Sequence, residues 1–158
     1  MSQDRTLPRY LYRVFDEETY SKFSHTSGFV ASISNAVYYR NHPNARRQLE
    51  LHMDWSNRRR TPFLSVTASR EKALEYALNK VKMGRRIVSI AKIDSSQLKR
   101  AGINIYWMRE LAEQTGAYLR PEAMNDHEYL CIRNIPAHAV IQCLTLDDGL
   151  RPISRRRF

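Results

Sequence analysis

The chain of 158 residues is long enough for one domain with a proper core and short for two. Its 42% hydrophobic and 27% charged residues are typical of a globular protein, and no apolar run is long enough for a membrane-spanning helix. The net charge of +10, from 26 Lys and Arg against 16 Asp and Glu, favours a polyanionic or phosphate-bearing partner.

The positive charge is concentrated in clusters, which either contact nucleic acid or form a solvated surface. The clusters are Arg46 and Arg47; Arg58, Arg59 and Arg60; Arg85 and Arg86; and Arg155, Arg156 and Arg157. Residues 151–158 are expected to be a frayed basic tail, and the polar residues 1–8 a disordered lead-in without the apolar segment of a secretion signal. Residues 9–150 are the predicted single domain.

Cysteine and histidine usage indicates neither a disulfide framework nor a metal site. Cys131 and Cys143 fall on or beside predicted strands, where a free cysteine is usually a small buried hydrophobic residue. A disulfide would require those strands to pair, and a reduced chain is the expectation. The five histidines lack metal-ligand spacing, so no zinc is expected. Because no secretion signal is seen, we expect a cytoplasmic or nuclear protein, and we also expect a monomer with no membrane partner.

The first predicted element is a strand over residues 9–15. Alternation places Tyr12 on one face and Arg13 on the other. A guanidinium within an apolar strand needs an anion or a carboxylate as partner, unless the strand lies at a sheet edge and the side chain reaches water. Both alternatives remain open for Arg13 on the strand pattern alone.

The later predicted elements are short and mixed, which indicates an α+β domain. In chain order they are an apolar segment at 29–33, a helix at 44–59, a strand at 63–67, a helix at 70–82, a central strand at 86–93, a helical turn at 98–102, a helix at 104–114, and strands at 129–132 and 139–144 joined by a tight connection.

Hydroxyl side chains mark the point where the strand at 63–67 leads into a helix. Ser65 and Thr67 share one face of this strand, and Ser69 is a good N-cap for the helix that follows. Such hydroxyls can hydrogen-bond a ribose or a phosphate. They are also common at strand ends, so this segment alone leaves both interpretations open.

Two carboxylates stand two residues apart just before the strand at 129–132. On an extended chain Asp126 and Glu128 point to one side, with His127 on the other. The two acids repel each other unless a cation or an electron-poor substrate lies between them. The same pattern is typical of a solvated strand entrance, and the segment alone does not separate the two.

Four blocks in this order resemble a known family. They are YRV at 12–14 followed by Gly28 and Phe29, FLSVTAS at 63–69, the strand at 87–93 with Asp94, and EYL at 128–130 followed by Ile135 and Pro136. The set resembles the R-S-E class of ADP-ribosyltransferases, above all the enzymatic chains of cholera, heat-labile and pertussis-type toxins. It is also similar to a group of fungal domains that share LYRVFD, TPFLSVTASREKA and NDHEYL.

The resemblance implies an ADP-ribosyltransferase-like fold: short, mostly antiparallel strands in a split, two-sheet core with flanking helices. It implies that Arg13 binds the phosphate and ribose of NAD, that Ser65 orders the site, and that Glu128 is the catalytic carboxylate. Thr67 and Tyr12 are expected to line the same NAD site.

The implied activity is NAD-dependent mono-ADP-ribosyl transfer to a protein or nucleic-acid acceptor, with DNA or RNA bound through the basic clusters. Two departures leave the acceptor open: Val66 replaces a family threonine, and Asp126 replaces the usual Glu or Gln. Asp126 is a candidate base for the incoming nucleophile. The alternatives are NAD hydrolysis and a catalytically inactive basic module that binds nucleic acid or nucleotide.

Overall fold

The structure is a computed structural model that describes residues 6–34, 38, 41–54 and 60–146, together with the backbone of 152–157. Its strands are β1 (Tyr10–Phe15), β2 (Phe29–Val30), β3 (Phe63–Thr67), β4 (Val88–Asp94), β5 (Ile105–Trp107), β6 (Glu128–Ile132), β7 (Asn134–Ile135), β8 (Val140–Leu146) and β9 (Pro152–Arg157). Its helices are α1 (Ala45–Met53), α2 (Arg70–Lys82), α3 (Ser95–Arg100) and α4 (Met108–Thr115), with single 3-10 turns at Pro121–Ala123 and Ala137–Ala139.

Seven of the described strands form one antiparallel sheet that is split in the middle. The strand order is β5-β6-β3-β1-β4-β8-β9, and β2 pairs with β7 in a separate small sheet. β1 and β4 are in register over six residue pairs, whereas β1 and β3 are in register only at Tyr12 and Thr67. This is the predicted α+β class with mostly antiparallel strands in a split core, and that prediction is confirmed.

The helices cover different halves of this sheet because their apolar stripes match different strands. Leu49 of α1 and Leu111 of α4 are buried with Leu130 of β6 in one cluster. On the other half, α2 packs on β1 and β4, and its Ala73 and Ala77 are buried in one cluster with Ile90 of β4. A third buried cluster, which includes Leu11 of β1 and Val66 of β3, joins the two halves across the split.

The β3–α2 segment follows the sequence prediction closely. β3 spans the predicted residues, and the Ser69 side chain accepts a hydrogen bond from the main-chain nitrogen of Lys72 at 3.1 Å. This is the expected N-cap of α2. β4 begins two residues later than predicted but is interior to the sheet and buried on both faces, as its continuous apolar run indicates.

Several predicted boundaries and connections differ from the structure. The helix predicted at 104–114 begins with a strand, because residues 105–107 pair with β6 as β5. The helix predicted at 44–59 ends at Met53, Asn44 makes no side-chain cap, and residues 55–59 lie outside the described part. The strands predicted at 129–132 and 139–144 are not a hairpin: β6 pairs with β3 and β5, whereas β8 pairs with β4 and β9.

The ends of the predicted domain also differ where they are described. Leu7, assigned to a disordered lead-in, packs against the core, and the main-chain oxygen of Pro8 accepts a hydrogen bond from the Ser95 hydroxyl at 2.6 Å. Residues 152–157, predicted as a frayed tail, form β9 alongside β8. Residues 1–5 lie outside the described part.

Cys131 and Cys143 are free and buried, on strands that do not pair with each other. Among the described helices, none is long and apolar enough to cross a membrane. Within the same residues no group of three or more His, Cys, Asp and Glu side chains is placed to hold a metal ion.

Candidate active site

Arg13 fills the gap where β1 and β3 separate. It is 8% exposed, so the guanidinium does not reach water at a sheet edge. Nη1 donates to the main-chain oxygen of Ser65 at 2.9 Å, and Nη2 donates to that of Ser21 at 3.2 Å. Within the described residues these two donors bind carbonyl groups rather than a carboxylate, and an anionic partner for Arg13 stays a prediction. Burial lowers the pKa of Arg13 to about 10, although the nearby Cys131 and Glu128 favour its charged form.

One donor of this guanidinium has no partner in the described part of the chain. The Nε of Arg13 is buried and makes no hydrogen bond within the described residues. A buried N–H without an acceptor is costly, so this position suits an acceptor oxygen of a bound molecule. Ser21, whose carbonyl group holds Nη2, also lines an open cavity of about 360 Å³ together with Lys22, Ser32 and Arg60. Ser21 thus connects Arg13 to a cavity that carries two cationic residues.

Glu128 is the first residue of β6 and is paired in register with Thr67 of β3. It is 7% exposed. Burial raises the pKa of its carboxyl group to about 7, against the opposing effects of a hydrogen bond from the Ser65 side chain and the positive charge of Arg13. The structure therefore brings three predicted site residues together: Arg13, Ser65 and Glu128.

His52 joins this group, although no sequence pattern pointed to it. Its Nε2 lies 2.7 Å from the Ser65 hydroxyl oxygen, and its Nδ1 lies 2.7 Å from the Thr61 hydroxyl oxygen. Burial and the positive charge of Arg13 lower the pKa of His52 to about 3, so the imidazole is neutral. In the sequence His52 is only one polar residue in an imperfect apolar stripe, and nothing local distinguishes it.

The hydrogen-bond directions follow from the donor inventory. An ionised Glu128 only accepts, so Ser65 donates to it and in turn accepts from the Nε2–H of His52. The unprotonated Nδ1 of His52 then accepts from the Thr61 hydroxyl. Thr61, His52 and Ser65 thus form a continuous chain of hydrogen bonds that ends at the Glu128 carboxylate.

Asp126 lies at the surface beside this site. Residues 126 and 127 form a turn, and the strand begins at Glu128, so the predicted alignment of the two carboxylates on one extended segment is wrong. The Asp126 carboxylate lies 3.0 Å from Nε of Arg109, an ion-pair distance without hydrogen-bond geometry. The Trp107 indole N–H donates to the main-chain oxygen of Asp126 at 3.0 Å and holds the turn.

Thr67 and Tyr12 have other roles. The buried Thr67 hydroxyl accepts from the main-chain nitrogen of Ser69 at 3.1 Å, which links β3 to the start of α2. Tyr12 packs with the residues under α2, on the face of β1 opposite Arg13. Strand alternation thus places the side chains of Tyr12 and Arg13 on opposite faces of β1, and a role of Tyr12 in NAD binding stays a prediction.

The basic clusters are partly occupied by intramolecular contacts. Arg85 contacts Asp16 and Glu18, Arg46 contacts Glu50, and Nε of Arg60 donates to a main-chain oxygen at 2.7 Å. The other clustered side chains include the exposed Arg47 and Arg86, and Arg58 and Arg59, which lie outside the described residues. Contact with DNA or RNA through these clusters stays a prediction.

Comparisons place this geometry among known folds. The family model described as "Domain of unknown function (DUF7587)" matches residues 6–149. No curated protein matches the chain. Among solved structures, EcPltA is 14% identical with a TM-score of 0.54, covering 95% of this chain and 85% of that chain. A heat-labile enterotoxin mutant is 15% identical with a TM-score of 0.57, covering 94% of this chain and 73% of that chain.

A third similar structure is a mutant catalytic domain of the mosquitocidal toxin from Bacillus sphaericus. It is 12% identical with a TM-score of 0.51, covering 94% of this chain and 54% of that chain. These neighbours are ADP-ribosyltransferase toxins, and at such low identity the likeness shows the fold alone. The described chain therefore has an ADP-ribosyltransferase-like fold.

Proposed function

The chain belongs to the family described as a domain of unknown function, DUF7587, and we propose that it is an NAD-dependent mono-ADP-ribosyltransferase. The acceptor in this proposal is a macromolecule, either a protein or a nucleic acid. The observation that carries the proposal is the buried Glu128 carboxyl group beside Ser65 and Arg13, at the split of a toxin-like sheet.

The proposed reaction places Glu128 where positive charge develops. The bond between C1′ of the ribose and the nicotinamide nitrogen breaks, and its electron pair leaves with nicotinamide. The sugar then resembles an oxocarbenium ion, which a buried carboxylate stabilises more strongly than one in water. A nucleophilic atom of the acceptor forms the new bond to C1′, and its proton passes to a carboxylate, for which the exposed Asp126 is the candidate.

Arg13 supports the same proposal as a candidate partner for the diphosphate of NAD. Its Nε–H has no acceptor among the described residues, and Ser21, whose carbonyl group accepts from Nη2, lines a cavity that also carries Lys22 and Arg60. A diphosphate supplies acceptor oxygens and two negative charges, which suit a guanidinium. The residues present therefore fit the NAD diphosphate, with Arg13 as its proposed partner.

His52 acts in this proposal as a positioning residue. Its hydrogen bond fixes the Ser65 hydroxyl so that the serine proton points at Glu128 and favours the ionised carboxylate. The neutral imidazole adds no charge that would compete with the positive sugar. The chain from Thr61 to Ser65 thus prepares the carboxylate before substrate binds.

The test measures nicotinamide release from NAD by the purified chain, with added DNA, RNA or protein extract in separate reactions. Glu128→Gln keeps the side-chain volume and removes the charge, and should reduce release at least a hundredfold, on the scale of lost transition-state stabilisation. Glu113→Gln makes the same change at an exposed position on α4 and should leave release unchanged.

The products distinguish the alternatives. A labelled adduct on DNA, RNA or protein supports transfer and names the acceptor class. Free ADP-ribose without any adduct shows NAD hydrolysis instead. No release from folded protein with any acceptor contradicts the enzymatic proposal and leaves the inactive basic module.

A further inference from the structure

A second cavity, of about 680 Å³, lies on the sheet beside α2, and we propose that it binds one nucleotide of a single-stranded nucleic acid. Its volume is within the range of small-ligand sites. It is lined by Tyr12, Arg70, Leu74, Lys92, Gln142 and Leu144.

A row of polar side chains crosses three neighbouring strands at the cavity floor. Tyr12 of β1 is in register with Lys92 of β4, and Lys92 is in register with Gln142 of β8. Directly paired residues of antiparallel strands place their side chains on the same face, within reach of one molecule. Ile90 and Leu144 form a second, apolar pair on the same two strands. The floor therefore offers a phenol ring, an amide and a cation beside an apolar patch.

The charges at this cavity have one sign. Arg70 and Lys92 are the charged residues among its described lining, which contains no carboxylate. The Lys92 Nζ lies 4.1 Å from the centre of the Tyr10 ring, so an aromatic face holds this cation in place. The arrangement suits an anionic group near Lys92 and a flat, partly apolar group on the floor.

The last strand brings further cations to the same edge. β9 pairs with β8 so that Arg157 is in register with Gln142, and Arg155 is in register with Leu144. Two arginines of β9 are thus paired across the sheet with two residues of β8 that line the cavity. The residues paired with this part of β8 are thus cationic in sequence, which suits a chain of phosphates better than one phosphate group.

A nucleotide combines the features that this lining recognises. Its base can stack on a tyrosine and rest on apolar side chains, its edge can hydrogen-bond an amide, and its phosphate can contact lysine and arginine. The net charge of +10 attracts polyanions from solution. An acidic peptide would satisfy the cations but not the aromatic and apolar floor.

The cavity is separate from the candidate active site. Arg70 and Leu74 lie on the flank of α2 that borders it. Tyr76, by contrast, lies near Glu128: burial and the Glu128 charge raise the pKa of Tyr76. The α2 helix therefore stands between the two sites, and binding at this cavity does not depend on the proposed transferase activity.

The experiment measures fluorescence anisotropy of a labelled single-stranded oligonucleotide of about ten residues, within the range of known single-strand sites. Lys92→Gln and Lys99→Gln remove the same charge, but Lys99 is exposed on α3, away from the cavity. Lys92→Gln should weaken binding about tenfold and reduce the slope of log affinity against log salt by about 0.7, whereas Lys99→Gln should change affinity less than twofold.

Tyr12→Leu tests stacking and should weaken binding at least fivefold, at the lower end for loss of one stacked base. Circular dichroism of each variant shows whether it is folded. If Tyr12→Leu is unfolded, the test rests on Lys92→Gln, which replaces no residue of the buried core. Equal affinities of the two lysine variants would overturn the proposal. The proposal would also be overturned if a mononucleotide or a polyglutamate peptide displaced the oligonucleotide at a concentration near the dissociation constant of the oligonucleotide.

Discussion

The Nε2 atom of His52 lies 2.7 Å from the hydroxyl oxygen of Ser65, which ties the last turn of α1 to the middle of β3. The same hydroxyl group hydrogen-bonds Glu128 on the neighbouring strand. A helix, the strand beside the split and the strand carrying the carboxylate thus meet at one serine side chain. Substitutions of Ser65 should therefore change the pKa of Glu128 more than they change the fold.

Ser65→Ala should move the pH profile of nicotinamide release to higher pH. The rate should rise through pH 7 in the unmodified protein because Glu128, with a pKa of about 7, must be ionised. Loss of the serine hydrogen bond disfavours the carboxylate and should shift the rising limb by about one pH unit. Rates measured across the neutral range, at saturating and at limiting NAD, check this shift, and an unchanged limb would show that Ser65 does not act on Glu128.

Glu128→Gln should stabilise the protein above neutral pH. The folded pKa of about 7 is higher than the ordinary value of 4.5, so folding favours the protonated form. Its contribution is complete below about pH 4.5 and is lost as pH rises through about 7, because ionisation then opposes burial. At about pH 8 the variant should exceed the unmodified protein by about 3 kcal/mol in free energy of unfolding, measured by urea titration.

His52 gives the opposite dependence and serves as the internal control. Its folded pKa of about 3 is lower than the ordinary 6.5, so stability is lost as pH falls below about 6.5. The two effects nearly cancel between about pH 4.5 and 6.5, where stability should be flat with respect to these groups. Stability curves for His52→Gln should therefore rise on the acid side relative to the unmodified protein, and a common curve for all three proteins would contradict both assignments.

Local sequence signals predicted the parts of the site that depend on neighbouring residues. Alternation in β1 predicted that Arg13 and Tyr12 lie on opposite faces of the strand. The junction between β3 and α2 followed from a β-prone run and the N-cap at Ser69. Resemblance in the order of motifs then predicted that Arg13, Ser65 and Glu128 belong together, although they lie on three strands.

The parts that failed depend on long-range pairing. Two apolar runs separated by a short turn were predicted to pair with each other as a hairpin. Instead they form β6 and β8, which pair with other strands of the sheet. The turn at Asp126 ended the assumed alternation, since strand pairing with Thr67 begins only at Glu128. His52 could not be recognised because its importance comes from a contact with a residue thirteen positions away on another element.

Arg13→Lys should weaken both the fold and the proposed reaction. A lysine ammonium cannot reach the carbonyl groups of Ser65 and Ser21 together, nor present a planar pair of donors to a diphosphate. We expect a loss of about 1–3 kcal/mol in free energy of unfolding. Nicotinamide release should fall more than about tenfold under conditions where the variant is folded.

The control for this change is Arg9→Lys, just before the same strand. Arg9 is 66% exposed and contacts Asp94 at 3.5 Å, so a lysine can replace it with little effect. Urea titrations and NAD assays of the two variants, run side by side, separate a general effect of Arg-to-Lys exchange from the loss of the guanidinium in the split. Equal behaviour of both variants would remove Arg13 from the proposed site.

Gly28→Ala should disrupt the small β2–β7 sheet that adjoins Arg13. A Cβ atom at Gly28 would lie 2.0 Å from the main-chain oxygen of Ile135 and 2.6 Å from the nitrogen of Ala137, and the residue has a φ of +70°. Backbone atoms cannot move aside as a flexible side chain can, so β2 must separate from β7. We expect a loss of more than about 3 kcal/mol in free energy of unfolding, the range of severe backbone and packing defects.

Gly102→Ala separates the clash from the backbone conformation. Gly102 has a φ of +74°, close to that of Gly28, but a Cβ atom added there would have no neighbour within 4 Å. Only the left-handed conformation is then penalised, at about 1–2 kcal/mol. Thermal and urea unfolding of both variants should therefore differ by more than about 1 kcal/mol, with Gly28→Ala the less stable. Similar losses would mean that the approach of Ile135 to Gly28 relaxes without cost and does not hold the two strands together.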